Sequence, residues 1–151
     1  MFTMVRRFIK TGLAFLGLGL LLGAYLLAQR ELRGTFPHPY LVSAHVHAVG
    51  IGFIMFLILG VALWLFPKPA KDDVRYAPSR ITLVYWILVL ATATRFVAEI
   101  SRTTTDAMWL RIVVLAAGFG QLVGFALYFY TMWTRIRPAG SQLREARGER
   151  F

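Results

Sequence analysis

Two histidines lie close together near the start of a long apolar run, in the segment SAHVHAVGIGFIMFLILGVALWLFPK. His45 and His47 are two residues apart, so on a helix their imidazoles point to opposite sides, about 200° apart, and cannot bind one metal ion together. Ionisable side chains inside a membrane are costly and are functional candidates by default. Burial favours the neutral imidazole, which is the form that binds a metal or a haem iron. The alternative is that each ring only donates a hydrogen bond to a neighbouring helix and stabilises the bundle.

The composition is that of a membrane protein. Of the 151 residues, 58% are hydrophobic, the formal net charge is +10 and there is no cysteine, a combination unlike that of a soluble domain. Without cysteine there is neither a disulfide nor a thiolate ligand, so a metal would be bound by histidine, methionine or oxygen atoms. The cations lie at the ends of apolar segments and form no continuous stripe, which argues against nucleic acid as a partner.

Four apolar segments are long enough to cross a bilayer, since about 20 apolar residues span the hydrocarbon core. We expect spans over residues 8–28, 40–66, 81–100 and 108–133, forming one all-α, four-helix membrane bundle. The first segment lacks the small-residue cleavage site of a secretory signal and is interpreted as a retained helix. The polar tail, residues 138–151, is expected to lie at the cytoplasmic surface as a short helix or frayed segment.

Positive charge is distributed unevenly between the two sides of this bundle. Twelve cations lie on one side: Arg6, Arg7, Lys10, Lys68, Lys71, Arg75, Arg80, Arg135, Arg137, Arg144, Arg147 and Arg150. Four lie at the opposite side: Arg30, Arg33, Arg102 and Arg111. By the positive-inside rule both termini are expected in the cytoplasm, in a multi-pass protein of the inner (plasma) membrane. The histidines are then expected near the outer leaflet.

A second pattern surrounds the first histidine. A small residue precedes it, glycines punctuate the apolar run, and bulky apolar residues with a proline end it: Ala44, His45, Gly52, Gly60, Trp64, Leu65, Phe66 and Pro67. This segment resembles the second helix of subunit I in the haem-copper oxidase and nitric oxide reductase superfamily. In that family the helix supplies an axial histidine to the low-spin haem near the outer side of the membrane. The resemblance implies that His45 is an axial ligand of a b-type haem.

The resemblance covers about one span, and the chain lacks the rest of the family's ligands because it contains only His38, His45 and His47. It is therefore not expected to be an oxidase or reductase by itself. The resemblance implies either a haem protein for electron transfer or binding of nitric oxide or oxygen, or a non-catalytic subunit that stabilises or assembles a larger respiratory complex. The ligand at the sixth position of the iron is undecided. It would be His47 or His38 of another subunit, a methionine, a second His45 in a homodimer, or a gas at an otherwise open position.

Other residues are candidates for contact with the haem. Gly52 would let a flat macrocycle lie close to the backbone, although close helix packing also explains it. Arg95 or Arg111 would bind a haem propionate, since a guanidinium suits bidentate contact with a carboxylate. Arg95 is also four residues before Glu99, so an internal ion pair is the alternative. His38 lies between two prolines and either caps the site or is exposed.

Further polar and small residues are interpreted as packing groups. Gln121 lies near mid-membrane and is expected to bond across helices. Gly19 with Gly23, and Gly120 with Gly124, form GxxxG pairs that favour close helix contact, either within the chain or between subunits. A transporter or proton-conducting protein is a weaker third interpretation, because none of the candidate relay residues is expected to reach the inner half.

Overall fold

Five α-helices and one π-helical segment form the described part of the computed structural model, which covers residues 2–67, 69, 73–137, 140 and 147–148. The elements are α1 (Phe2–Arg33), α2 (Pro39–His47), the π-helical segment (Ala48–Met55), α3 (Phe56–Leu65), α4 (Pro78–Ser101), and α5 (Met108–Met132) with a single 3-10 turn after it (Trp133–Arg135). No β-strand occurs within these ranges.

The α2 helix, the π-helical segment and α3 are continuous and together form one long helical stretch. With α1, α4 and α5 this makes four stretches that are long and apolar enough to cross a membrane. They are Thr3–Arg33, Pro39–Leu65, Pro78–Ser101 and Met108–Arg135. The all-α class and the four predicted spans are confirmed, and the chain is a multi-pass membrane protein. The first helix extends beyond both predicted ends, and at its C-terminal end the added residues Gln29 to Arg33 are good helix formers.

The bundle has two ends, which differ in character. We call one end the terminal end; α1 and α4 begin there, and α3 and α5 end there. The opposite end, called the histidine end, contains the connections over residues 34–38 and 102–107 and both histidines of α2. Most of the polar tail predicted over residues 138–151 lies outside the described residues. Which end faces the cytoplasm stays a prediction.

An aromatic cluster fills the core of the terminal half. Phe8 is fully buried, and its ring centroid lies 5.2 Å from that of Tyr85, 5.6 Å from that of Phe56 and 6.3 Å from that of Tyr128. Tyr128 lies toward the end of α5, where interfacial tyrosines are expected, yet it is buried and donates its hydroxyl to the Leu59 carbonyl at 2.7 Å. One residue from each span therefore meets in this cluster.

Glycines bring the helices of the chain itself together. A Cβ on Gly19 would lie 2.6 Å from the side chain of Val49. One on Gly124 would lie 2.5 Å from Leu88. These distances are too short for a real side chain, so both GxxxG pairs serve contacts within the bundle, α1 against the second span and α5 against α4.

Arg135 closes the terminal end although its side chain is only 2% exposed. Its Nε donates to the Pro67 carbonyl at 2.8 Å, and its Nη2 donates to the carbonyls of Phe66 at 3.0 Å and Leu63 at 3.1 Å. The last carbonyls of a helix have no partner within it and carry partial negative charge. The guanidinium therefore caps α3. From the sequence, Arg135 is expected only to contribute to the charge that sets the topology.

We predict that Arg135→Ala lowers the free energy of unfolding by about 2–4 kcal/mol, because several charged hydrogen bonds are lost and the carbonyls that remain are buried. Denaturant unfolding in mixed micelles measures this. Arg6→Ala, at an exposed position of the same end, is the matched control and should change stability by less than about 0.5 kcal/mol. Equal losses in the two variants would contradict the capping role.

Candidate functional site

His45 faces α1 and is held by its backbone. The imidazole Nδ1 lies 2.9 Å from the Gly19 carbonyl oxygen, and because a carbonyl only accepts, Nδ1 carries the proton. A Cβ on Gly23 would lie 2.8 Å from the His45 Cε1, so this glycine makes room for the ring. Nε2 makes no hydrogen bond to any described residue. This bond to a backbone carbonyl of a neighbouring helix is the packing contact expected under the alternative interpretation of His45. Metal-ligating histidines are also usually oriented by a carbonyl or carboxylate at their second nitrogen, so the bond is compatible with both interpretations.

The ring also lines a groove between α1 and the start of α2. The groove has a volume of about 400 Å³ and is open at the surface of the bundle. Its lining is apolar apart from His45 and one cation: Gly23, Leu26, Leu27, Arg30, Phe36, Pro37, Val42 and His45. Arg30 is exposed and only loosely paired, its Nε being 3.9 Å from the Glu31 carboxylate. The groove thus combines an imidazole, apolar walls and a cation.

Gly52 shares the α1 side of the second span with His45 but packs against protein. A Cβ added to Gly52 would lie 2.5 Å from the Phe15 ring. Phe15 is itself buried. Gly52 serves close helix packing here, which is one of the two roles expected for it.

His47 points to the other side of α2, toward α4. Its Nδ1 lies 2.8 Å from the Ser43 carbonyl oxygen and 3.3 Å from Glu99 Oε2. Glu99 Oε2 is buried and accepts no regular hydrogen bond from the described chain. The Nδ1–H of His47 therefore donates to the Ser43 carbonyl, which orients the ring, and the Glu99 carboxylate lies close by without a regular hydrogen bond to it. The opposite orientation of the two histidines, predicted from their spacing, is confirmed.

Glu99 is the centre of a polar network that joins three spans. Its carboxylate is 1% exposed, and Oε1 accepts hydrogen bonds from Ser43 Oγ at 2.9 Å and Arg95 Nε at 3.0 Å. Arg95 Nη1 donates to Gln121 Oε1 at 3.0 Å, and Gln121 Nε2 donates to Thr92 Oγ1 at 3.1 Å. The predicted ion pair of Arg95 with Glu99 is present, and Gln121 bonds across helices as expected. With a neutral His47 the charges in this network cancel.

Arg111 lies in a second ionic cluster, at the surface of the histidine end. It donates to both carboxylate oxygens of Asp106, with Nε at 3.1 Å from Oδ1, and Arg102 donates to the same carboxylate. The guanidinium carbon of Arg102 also lies 4.1 Å from the ring centroid of Tyr40, at the start of α2. Hydrogen bonds from Arg111 and then Arg102 hold the pKa of Asp106 below its usual value of 3.8.

His38 lies at the first turn of α2. Its Nδ1 accepts the backbone N–H of Tyr40 at 3.2 Å, and the two rings stack with centroids 5.6 Å apart. The residue is exposed and acts as an N-cap. This agrees with the exposed alternative for His38.

The structure thus separates the predicted site residues. His45 faces α1, whereas Arg95 and Arg111 are paired with carboxylates on the α4 and α5 side. Among the residues with described positions, no group of three or more His, Asp or Glu side chains is placed to hold a metal ion. Sequence reasoning missed Arg30 and Phe36 beside His45, and Ser43 and Thr92 in the Glu99 network. Only Ser43 carried a signal, being four residues before His47 on one helix face.

In comparisons with known proteins, no family, curated protein or solved structure matches this chain.

We predict that Glu99→Leu lowers the free energy of unfolding by about 3–5 kcal/mol, because it leaves the Arg95 charge inside the membrane without a partner. The double variant Glu99→Leu/Arg95→Leu should be more stable than Glu99→Leu. Denaturant unfolding of both single variants and the double variant in mixed micelles gives the coupling energy. Losses that simply add would show that the two charges do not depend on each other.

The Asp106 cluster predicts a dependence of stability on pH. Because the folded pKa of Asp106 is depressed, its stabilising contribution is present above its usual value of 3.8 and is lost as pH falls through the folded pKa. Wild type should therefore be more stable than Asp106→Asn by a constant margin at neutral and mildly acidic pH, and the margin should shrink in stronger acid. Unfolding curves across pH measure it. A margin that grows in acid would contradict the depressed pKa.

Proposed function

We propose that the chain is a membrane haem-binding protein, with His45 as an axial ligand of a b-type haem in the groove between α1 and α2. The observation that carries the proposal is the position of the His45 ring at the open groove, with Nδ1 donating to the Gly19 carbonyl and Nε2 making no hydrogen bond to the described residues. A neutral imidazole held in this way is preorganised to donate its free nitrogen to iron.

The residues that line the groove on one side of the His45 ring are of the types that suit a haem. Leu26, Leu27 and Phe36 supply apolar walls, and the exposed Arg30 is the cation available to a propionate. This role was expected of Arg95 or Arg111, but both are paired elsewhere. The Phe15 side chain keeps the group away from Gly52. The fit is therefore confined to the groove, at the surface of the bundle.

A bound haem would supply one-electron chemistry if both axial positions were filled by histidine, or gas binding if one were open. The chain's own part is to orient His45 through Gly19, to place Arg30 at the rim and to keep the site apolar. His47 has a different part, because its ring faces α4 and is bonded to Ser43 and near Glu99. It stabilises the bundle under this proposal.

A non-catalytic subunit of a larger respiratory complex is the second candidate. It is favoured by the engagement of Gly52, Arg95 and Arg111 in contacts within the chain, and by the bond of His45 to the Gly19 carbonyl, which serves helix packing. In that case the groove beside His45 would be completed by, or covered by, a partner subunit.

Spectroscopy of the protein purified after haem-supplemented expression separates the two candidates. We expect a Soret band and reduced α and β bands in wild type, their loss in His45→Ala, and their retention in His38→Ala, the matched surface control. Loss of the bands in His47→Ala but not in His45→Ala would contradict the choice of ligand. Colourless wild-type protein would favour the accessory subunit.

A further inference from the structure

A second groove lies on the other side of the bundle, between α4 and α5. It has a volume of about 390 Å³ and is open at the surface of the two membrane-spanning helices. Five of its lining residues are uncharged: Val114, Leu115, Gly118, Phe119 and Leu122. The sixth is Arg95, whose side chain is 22% exposed. A guanidinium thus borders an otherwise apolar groove.

One nitrogen of the Arg95 guanidinium has no hydrogen-bond acceptor among the described residues. Its Nε donates to Glu99 and its Nη1 to Gln121, whereas Nη2 donates to no residue in the described chain. A donor N–H that faces only hydrocarbon is costly, since no water is present there to accept from it. The groove therefore favours an occupant that carries a hydrogen-bond acceptor.

The acceptor is expected to be neutral. The Arg95 charge is already balanced by Glu99, at 3.0 Å and almost fully buried. An anion would bring an uncompensated charge into the interior, next to this carboxylate. A carbonyl oxygen meets the requirement because it accepts hydrogen bonds and carries no net charge.

Depth limits which carbonyl compounds reach the groove. Arg95 Nη1 is bonded to Gln121, which lies near the middle of the 25-residue helix α5. The ester carbonyls of phospholipids lie at the edges of a hydrocarbon core about 30 Å thick, well away from its middle. The occupant must therefore dissolve in the hydrocarbon core and bring its carbonyl with it.

We propose that the Arg95 groove binds a lipid-soluble carbonyl compound of the quinone type. One quinone oxygen accepts a hydrogen bond from Nη2 of Arg95, the flat ring lies on the floor left open by Gly118, and Phe119 and Leu122 contact the ring and its apolar tail. Such a site, largely apolar with one or two placed polar groups, is typical of small-molecule binding. This proposal does not depend on haem binding at His45.

Gly118 provides a variant that fills the groove and leaves Arg95 in place. A Cβ at this position would lie 3.5 Å from Arg95 Nη1, an ordinary contact, so Gly118→Ala should fold normally and Gly118→Leu should extend into the groove. Gly17→Leu is the matched control, because a Cβ on Gly17 meets nothing within 4 Å. Unfolding curves verify that all three variants are folded.

The test is a titration of the detergent-purified protein with decylubiquinone, followed by quenching of tryptophan fluorescence. Decylbenzene, which has the chain and a ring but no carbonyl, is titrated as a competitor. We expect saturable quenching in wild type and Gly17→Leu, about tenfold weaker affinity in Gly118→Leu, and no competition by decylbenzene.

Three results would overturn the proposal. Quenching that does not saturate would indicate simple partition into the micelle. Equal affinity in wild type and Gly118→Leu would place the ligand elsewhere. Self-association that is lost in Gly118→Leu, without saturable quinone binding, would assign the groove to a second copy of the chain. None of these results bears on the haem spectrum, so the two proposals fail separately.

Discussion

The buried carboxylate of Glu99 is the constraint on which the histidine half of the bundle depends. A charge at this depth is stable only if it is paired and hydrogen-bonded. Arg95 supplies the charge, Ser43 supplies a hydroxyl, and His47 lies within 3.3 Å. These residues come from two different spans, and Gln121 adds a third by its bond to Arg95. The hydrogen bonds and the ion pair that the Glu99 carboxylate requires therefore fix the positions of α2, α4 and α5 relative to one another.

The terminal half is stabilised in a different way. Four aromatic residues, one from each span, meet in a buried cluster in which the ring centroid of Phe8 lies 5.2 to 6.3 Å from those of the other three. Arg135 adds hydrogen bonds to the end of α3. The Glu99 network and the groove beside His45 lie toward the other half.

Features that depend on one segment at a time could be predicted from the sequence. The four spans follow from the length of their apolar runs, the pairing of Arg95 with Glu99 from their spacing, and the opposite faces of His45 and His47 from helical geometry. Contacts between helices could not be predicted, because side chains distant in sequence decide them. The neighbour of Gly52 proved to be Phe15, and the partner of Gln121 proved to be Arg95. The cap formed by Arg135 was hidden for the same reason, since a basic residue after a span is expected on topological grounds alone.

The bonds of the two histidines have a mechanical consequence for the second span. On one side of α2, His45 donates to the Gly19 carbonyl of α1. On the other side, Ser43 Oγ donates to Glu99 of α4, and His47 lies 3.3 Å from the same carboxylate. Because these contacts leave the helix on opposite sides, a rotation of α2 about its axis would displace both sets together. The orientation of the His45 ring beside its groove is therefore coupled to the position of the buried carboxylate.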